Sequence, residues 1–376
     1  MVKTLVKSIE KEFNNLDIVL STNTNTGMSV AKRYFNGKKI FYFPLDLSWV
    51  VNKALNAIQP CCVILVELEI WPNFLISTAK MRIPVVLLNA RISERSLKWY
   101  RVLRKISKEF FAGLTKKENV FCARTEIDAS RLMNLGVPES QVGITGNMKY
   151  DNVVTDIAED TKKQLMFLFG IDKGEKVIVC GSTHEGEEGV ILRIFQRIRE
   201  KIQNVRLILV PRHIERVNEI VKLIESLRFR CVRKTFLDEG EKISEPKAET
   251  VILVDTMGDL QITYSIADCV FVGKSLVPQG GQNMMEPAGL AKPVIVGPHT
   301  FNFREEVQLL KEADAIEIVQ DESALLNAMM YILECPDVAR EMGKRAQLVV
   351  INQRGATDRN VEALRKILLK ERTVSV

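Results

Sequence analysis

Little in this 376-residue chain is available for metal or disulfide chemistry. It holds three histidines and seven cysteines. No cysteines stand at CxxC spacing, and no two histidines have the helical spacing of a zinc site. His184-Glu185-Gly186-Glu187-Glu188 offers carboxylates beside a single histidine, so no metal and no cofactor is expected. Cys61, Cys62, Cys180 and Cys269 lie in apolar, strand-like runs and are expected as buried free thiols in a reducing compartment. No apolar run reaches the 18 or so residues that a membrane-spanning helix needs, and the amphipathic start, MVKTLVKSIEKEF, is not expected to be a signal peptide. Neither sign of charge dominates: 53 basic against 47 acidic residues leave a net charge of +6. That balance is too weak to argue for nucleic acid. It suits an anionic small substrate or an anionic membrane surface.

What the chain does have is alternation. With 46% hydrophobic and 27% charged residues it reads as soluble and globular, and its length suggests two domains. Short apolar runs alternate with amphipathic stretches through residues 1–150 and again through 176–350. This pattern predicts doubly wound parallel sheets. Residues 151–175 are polar and charged and read as a linker; residues 351–376 read as a closing helix that packs back on the first domain. In the first half, Cys61–Val66 has the unbroken apolar character of a central parallel strand. A helix is expected from Met28, after the polar loop Ser21–Gly27. Another is expected from Ser93, with Trp99, Leu103, Ile106 and Phe110 as its apolar stripe and Lys98, Arg101, Lys105 and Lys108 as its basic one. Such a helix either packs on the sheet with a solvated charged face or lies on anionic lipid. The stretch Leu237–Glu249 reads as an exposed loop.

The chemistry-bearing residues cluster where strands end. Gly273 to Phe303 carries a Gly-rich turn, Gln279-Gly280-Gly281, then Gln282, Asn283 and Glu286 opening a short helix. Free backbone N–H groups there suit phosphate, and a carboxylate one turn on suits a ribose diol; the competing reading is a capped strand–helix turn. Three more predicted strands end in small or polar clusters: Gly181-Ser182-Thr183, Pro211-Arg212-His213 and Asp255 to Asp259. In one parallel sheet these ends share an edge, so together they predict a nucleotide site in the second half. In the first half, Glu67 and Glu69 end the strand Cys61–Val66, ahead of a Pro-started helix. Either carboxylate is a candidate functional group, against the alternative that one of them caps that helix.

These stretches carry a resemblance. Thr22–Gly27, Glu67–Asn73 (ELEIWPN), Asn89-Ala90-Arg91, Gly181–Glu188 (GSTHEGEE), Pro211–His213, Asp255–Leu260 (DTMGDL) and Gly280–Pro287 (GGQNMMEP) span nearly the whole chain in order. In combination they resemble the 3-deoxy-D-manno-octulosonic acid (Kdo) transferases, lipid A glycosyltransferases of Gram-negative bacteria. The resemblance implies a GT-B fold, two Rossmann-like doubly wound domains facing across a cleft. It implies inverting, metal-independent transfer of Kdo from CMP-Kdo to a hydroxyl of a lipid A precursor, at the cytoplasmic face of the inner membrane, with peripheral membrane contact. It implies that Pro211, Arg212, His213, Met257, Gly258, Asp259, Gly280, Gly281, Gln282 and Asn283 border the nucleotide. Glu286 would take the ribose, and Ser182 and Thr183, with Gly273 beside them, would face the phosphate. Arg91 or Lys274 would clamp the Kdo carboxylate, and Glu67 or Glu69 would serve the acceptor or donor-sugar side. Gln282 stands where the family usually has His, Asp259 where it has Glu, and Met284 and Met285 are bulkier than usual. The first helix matches the one after the family's membrane anchor and Gly-Glu motif, whose Glu is the proposed base. Nucleotide binding with weak or no transfer is therefore expected of the sequence as given. The competing expectations are another GT-B enzyme using a UDP-sugar and a catalytically dead CMP- or lipid-binding protein.

Overall fold

Strands alternate with helices from end to end, and each described strand pairing is parallel. The computed structural model describes residues 1–67, 70–243 and 249–374. It divides into two compact units: unit 1 is Met1–Asn152 with Gln353–Val376, and unit 2 is Val153–Asn352.

In unit 1, β1 (Val19–Thr22) and β2 (Lys39–Tyr42) form one two-stranded sheet. The strands β3 (Val63–Val66), β4 (Val85–Ala90), β5 (Val120–Ala123) and β6 (Val142–Ile144) form a second, in that order. The sequence VVLLNA of β4 is buried at every position. Side chains alternate across a strand, so Val85 and Leu87 join Phe74, Leu75 and Phe110 on one face while Val86 and Leu88 join Leu5, Ile9 and Leu364 on the other. Helices Pro72–Lys80 and Lys108–Leu114 thus cover one face, and helices Val2–Glu12 and Ala356–Val374 the other. The closing helix is tied into unit 1 at its start, where the Asp151 carboxylate accepts the N–H groups of Gly355 (2.7 Å) and Thr357 (2.6 Å).

Unit 2 has one seven-stranded sheet: β7 (Lys176–Thr183), β8 (Val205–Pro211), β9 (Arg230–Arg233), β10 (Thr250–Leu253), β11 (Cys269–Val272), β12 (Val294–Val296) and β13 (Glu317–Ile318). Their spatial order is β13-β12-β11-β7-β8-β10-β9. From β7 the chain first builds outward through β8, then returns to place β11 on the other side. The strand order therefore reverses between β7 and β11, and ligands of open parallel sheets bind beside such a reversal, at the carboxyl ends. Residues 153–175 belong to unit 2; their helix Glu159–Leu168 buries Leu165.

Several local expectations need correction. The helix expected from Met28 starts at Asn25, because the Thr24 hydroxyl accepts the Gly27 N–H (3.0 Å) and caps it. The run Cys61–Val66 does not form a central strand: among the described residues β3 pairs with β4 alone, and Cys61 is exposed. In the helix Glu94–Ile106 the buried residues are Leu97 and Tyr100, whereas Trp99 is 55% and Ile106 75% exposed. Ser107 ends that helix and caps Lys108–Leu114 through the Phe110 N–H. The break shifts the phase, so Phe110 is buried although it falls on the stripe with Trp99. Leu237, expected in an exposed loop, is buried at the end of a short helix, Lys234–Asp238; residues 244–248 of that expected loop lie outside the described residues.

Candidate functional site

The reversal point in unit 2 is knitted together by one carboxylate. Glu187 is fully buried just after β7, at the start of helix Glu187–Arg199. It accepts the backbone N–H groups of His184 (2.9 Å), Lys274 (2.7 Å), Ser275 (2.9 Å) and Leu276 (3.0 Å). The first lies in the loop after β7, the others in the loop after β11. Burial raises the Glu187 pKa, and these backbone donors oppose the rise. The two loops also meet directly. Gly273 donates its N–H to the Gly181 carbonyl (2.8 Å), and a Cβ at Gly273 would lie 2.6 Å from both the Ser182 carbonyl oxygen and the Thr183 Cα. Only glycine fits a backbone approach that close.

Ser182 (φ 54°) and Lys274 (φ 61°) both hold left-handed backbone conformations across this junction. For non-glycine residues these cost roughly 1 kcal/mol each and cluster at functional sites. Farther along, Gly281 donates to the Lys274 carbonyl (2.7 Å) and Gly280 takes φ +95° beside Asn302. The helix after this turn spans only Met285–Gly289 and starts beyond Asn283. Its dipole is therefore short, and the binding groups here are loop amides and side chains.

The side chains around the loops make a positive, partly dry surface. Arg212 donates its N–H to the Thr183 carbonyl (3.0 Å), which carries the end of β8 against the end of β7. The His184 and His213 rings meet edge to face with centroids 5.2 Å apart, and Gln282 Nε2 lies 3.4 Å from His184 Nε2. Burial, then the neighbouring Lys274, His213, Arg216 and Arg212, push the His184 pKa down to about 4. The ring is therefore neutral near pH 7, and its Nε2 can accept from the Gln282 amide. Thr183 is fully buried, and among the described residues its hydroxyl has no hydrogen-bond partner. Glu286 accepts from Asn283 Nδ2 (3.0 Å), and burial raises its pKa against the opposing effects of Asn283 and Arg212. The Tyr264 hydroxyl, fully buried and without a hydrogen-bond partner among the described residues, is raised by burial and by the Glu286 charge.

Met257, Gly258 and Asp259 follow β10, two strands from β7 on the same edge. Asp259 accepts from the Thr256 hydroxyl and pairs with Lys234 (3.3 Å). Asp255 accepts from the Thr235 N–H and hydroxyl and from Arg233 (2.7 Å), partners that hold it below the usual carboxylate range although burial acts the other way. These anchors leave Met257 85% exposed at the loop tip, with Gly258 beside it at φ +99°.

The expected residues of unit 1 form a second cluster, at the carboxyl edge of β3 and β4. Glu67 (φ 65°) donates its N–H to the Leu88 carbonyl (3.0 Å), and its half-exposed carboxylate lies 3.4 Å from Lys149 Nζ. Buried Asn89 accepts the Met148 N–H (3.0 Å), which draws the loop Gly146–Lys149 to the end of β4. Arg91 follows β4 and is exposed. Glu69 lies outside the described residues. Asp46 fills the capping role weighed for the glutamates: its carboxylate accepts the N–H groups of Asn73 (3.1 Å) and Phe74 (2.8 Å) at the start of helix Pro72–Lys80.

Sequence reasoning singled out the stretch holding His184 and Glu187 but gave neither a role in this site, and it missed Tyr264. Glu187 had a legible signal, an acid three residues after His184 at a strand–helix turn, in position to reach back to a free N–H. Nothing local marks Tyr264, which reaches the site through the fold alone.

Comparison with known proteins adds identity to this geometry. The sequence pattern of the family described as 3-deoxy-D-manno-octulosonic-acid transferase (kdotransferase) matches residues 1–152. The chain is 33% identical over 367 residues to the 3-deoxy-D-manno-octulosonic acid transferase of Haemophilus influenzae, covering 97% of this chain and 83% of that protein. It is 28% identical to the Bordetella pertussis transferase over 93% of this chain and 80% of that one. Among solved structures, a glycosyltransferase from Rickettsia africae matches with TM-score 0.61 and 14% identity, covering 98% of this chain and 95% of that one. UDP-GlcNAc 2-epimerase from Neisseria meningitidis, bound to UDP-GlcNAc, matches with TM-score 0.62 and 16% identity, covering 97% and 96%. At such identities the structural likeness speaks for the fold, which is GT-B.

Proposed function

The chain belongs to the 3-deoxy-D-manno-octulosonic acid transferase family, and from that premise we propose that unit 2 binds the CMP-Kdo donor and unit 1 the acceptor, a lipid A precursor. The protein is a glycosyltransferase of lipopolysaccharide biosynthesis. The observation that carries the donor assignment is the junction at the reversal point: two strained loops locked by Glu187, with Lys274, Arg212 and a neutral His184 around them. Fixed positive groups aimed at one place stabilise charge that develops there. In this reaction charge develops on the CMP phosphate as its bond to the anomeric carbon of Kdo breaks.

Ser182, Thr183 and the Gly280–Gly281 turn would hold the phosphate, and Glu286 the ribose hydroxyls. Pro211, His213, Gln282, Asn283 and the Met257–Asp259 tip would line the nucleoside. Gly273 lets the two phosphate-side loops close. Lys274 would pair with the Kdo carboxylate. Transfer forms a bond from the acceptor oxygen to that anomeric carbon, on the face opposite CMP, and so inverts it. The acceptor proton goes to a base, and CMP leaves with the bonding pair. CMP is a good leaving group, so no metal is invoked. Glu67 and Arg91 are the groups proposed for the acceptor or sugar side.

Membrane contact is proposed through the helix Glu94–Ile106. Its exposed Trp99, Val102 and Ile106 recur at helical spacing beside Lys98, Arg101 and Lys105, an apolar stripe flanked by a basic one. Charge reversal at those three basic positions should weaken sedimentation with anionic liposomes several-fold, and unchanged binding would remove this role. Mass spectrometry of a lipid A precursor incubated with CMP-Kdo and the protein tests the transfer. Gain of the mass of Kdo, however slow and with chelator present, is the expected result. Donor binding with no gain in acceptor mass would contradict the transfer, and loss of the gain on adding chelator would contradict the metal-free reading.

A further inference from the structure

The acidic pair that opens the helix after β7 is only half used by the Glu187 junction. Consecutive helical residues point about 100° apart, so Glu187 and Glu188 leave the first turn of helix Glu187–Arg199 in different directions. In the sheet, β7 has β11 on one side and β8 on the other. Glu187 reaches the loop after β11. Glu188 reaches the segment after β8: its two carboxylate oxygens accept from Arg216 Nη1 (3.0 Å) and Nη2 (3.4 Å). Glu188 is 1% exposed, so water does not compete for this fork on the carboxylate side. Arg216 also donates to Glu219 (2.9 Å), whose carboxylate is exposed.

The same segment carries a second arginine in the opposite situation. Arg212 lies four residues before Arg216, is exposed, and among the described residues forms no ion pair. Its backbone is fixed by its own N–H on the Thr183 carbonyl (3.0 Å). Between the two arginines the chain makes one short turn, Ile214–Arg216, in which the Arg216 N–H bonds the His213 carbonyl (3.1 Å). The stretch Arg212–Arg216 is thus pinned at its first residue by a backbone bond and at its last by a bidentate side-chain contact. One guanidinium is satisfied by carboxylates, and the other keeps its charge available. Desolvation offsets much of the attraction in a buried ion pair, whereas a planar two-point contact fixes geometry as well.

We propose that Glu188 is a positioning residue of the donor site: through Arg216 it holds the Arg212–Arg216 segment so that the Arg212 guanidinium meets the nucleotide phosphate. The inference rests on the donor reading above. Glu187 and Glu188 then divide the work, one fixing the loop after β11 and the other the cationic segment after β8. The nearness of that segment is felt at His184, since Arg216 and Arg212 are both among the charges that lower its pKa.

The test is a double-mutant cycle read by calorimetric titration of CMP and of cytidine, which lacks the phosphate. Glu188→Gln keeps the side-chain shape and removes the charge. Alone it should weaken CMP by about tenfold, the loss of one hydrogen bond to a charged group, and leave cytidine within about twofold. Arg216→Lys, which cannot make the two-point contact, should do the same. Glu219→Gln removes only the exposed partner and should leave both ligands unchanged. In an Arg212→Ala background, Glu188→Gln should have no further effect on CMP, because it acts through that guanidinium. Circular dichroism establishes that each variant is folded. Unchanged CMP binding by Glu188→Gln, equal weakening of CMP and cytidine, or an undiminished loss in the Arg212→Ala background would overturn the proposal and leave the donor reading standing. A parent protein that binds CMP no better than cytidine would overturn the donor reading, and the proposal with it.

Discussion

Unit 2 joins its strands in one sheet through the point where the order reverses; unit 1 has two sheets, and among the described residues nothing pairs β1 with β3. The same contrast extends to the loops. In unit 2 a fully buried carboxylate, Glu187, gathers four backbone N–H groups from two loops. In unit 1 the corresponding edge has buried Asn89 on one N–H group, and beside it partly exposed groups, Asp46 on two N–H groups and Glu67 against Lys149. A site whose geometry is fixed before ligand arrives needs buried, fully used polar groups. By that criterion the Glu187 junction of the donor side is preorganised, and the acceptor side rests in part on contacts that water weakens.

The largest effect that would sharpen this contrast is expected from Glu187→Ala. It strips four N–H groups, two buried and two partly buried, of their acceptor and should cost unit 2 about 3 kcal/mol, with nucleotide binding lost at the same time. Chemical denaturation followed by a probe in unit 2 measures it, and a loss under 1 kcal/mol would break the account of the junction. A smaller effect separates His184 by pH. The folded protein holds this ring neutral down to about pH 4, while the unfolded chain takes up its proton near pH 6.5. Between those values the unfolded state binds more protons, so stability falls as pH falls. Glu187 and Glu286, raised by burial, act in the opposite sense nearby, so the difference between the parent and His184→Gln isolates the histidine. The variant should lose less stability than the parent from pH 6.5 to 4, and parallel curves would refute a buried neutral ring. The smallest effect belongs to unit 1: Asp46→Ala removes a helix cap and should cost about 1 kcal/mol, seen as a small shift in midpoint. A cost matching that of Glu187→Ala would erase the contrast.

The alternation of strands and helices was legible because each apolar run is short and ends in small or polar residues. The clustering of the site was legible for the same reason: in a parallel sheet the ends after β7, β8, β10 and β11 must share an edge. Three features were not. The role of Glu187 depends on a loop 87 residues away, and local pattern carries no such information. The stripe of Trp99, Leu103, Ile106 and Phe110 is sound as periodicity, but Ser107 breaks the helix within it and the buried face is the one bearing Leu97 and Tyr100. The composition of β3 states correctly what its two flanks want, yet one flank is a cavity, and only coordinates reveal that.

The donor site is tested most directly by calorimetric titration of CMP, against UMP, into the parent protein and into Glu286→Ala. The account predicts that CMP binds in preference to UMP and that Glu286→Ala weakens CMP by at least about tenfold, the loss of one charge-assisted hydrogen-bond pair, without unfolding as judged by circular dichroism. Equal binding of CMP and UMP, or unaltered CMP binding by a folded Glu286→Ala, would contradict it.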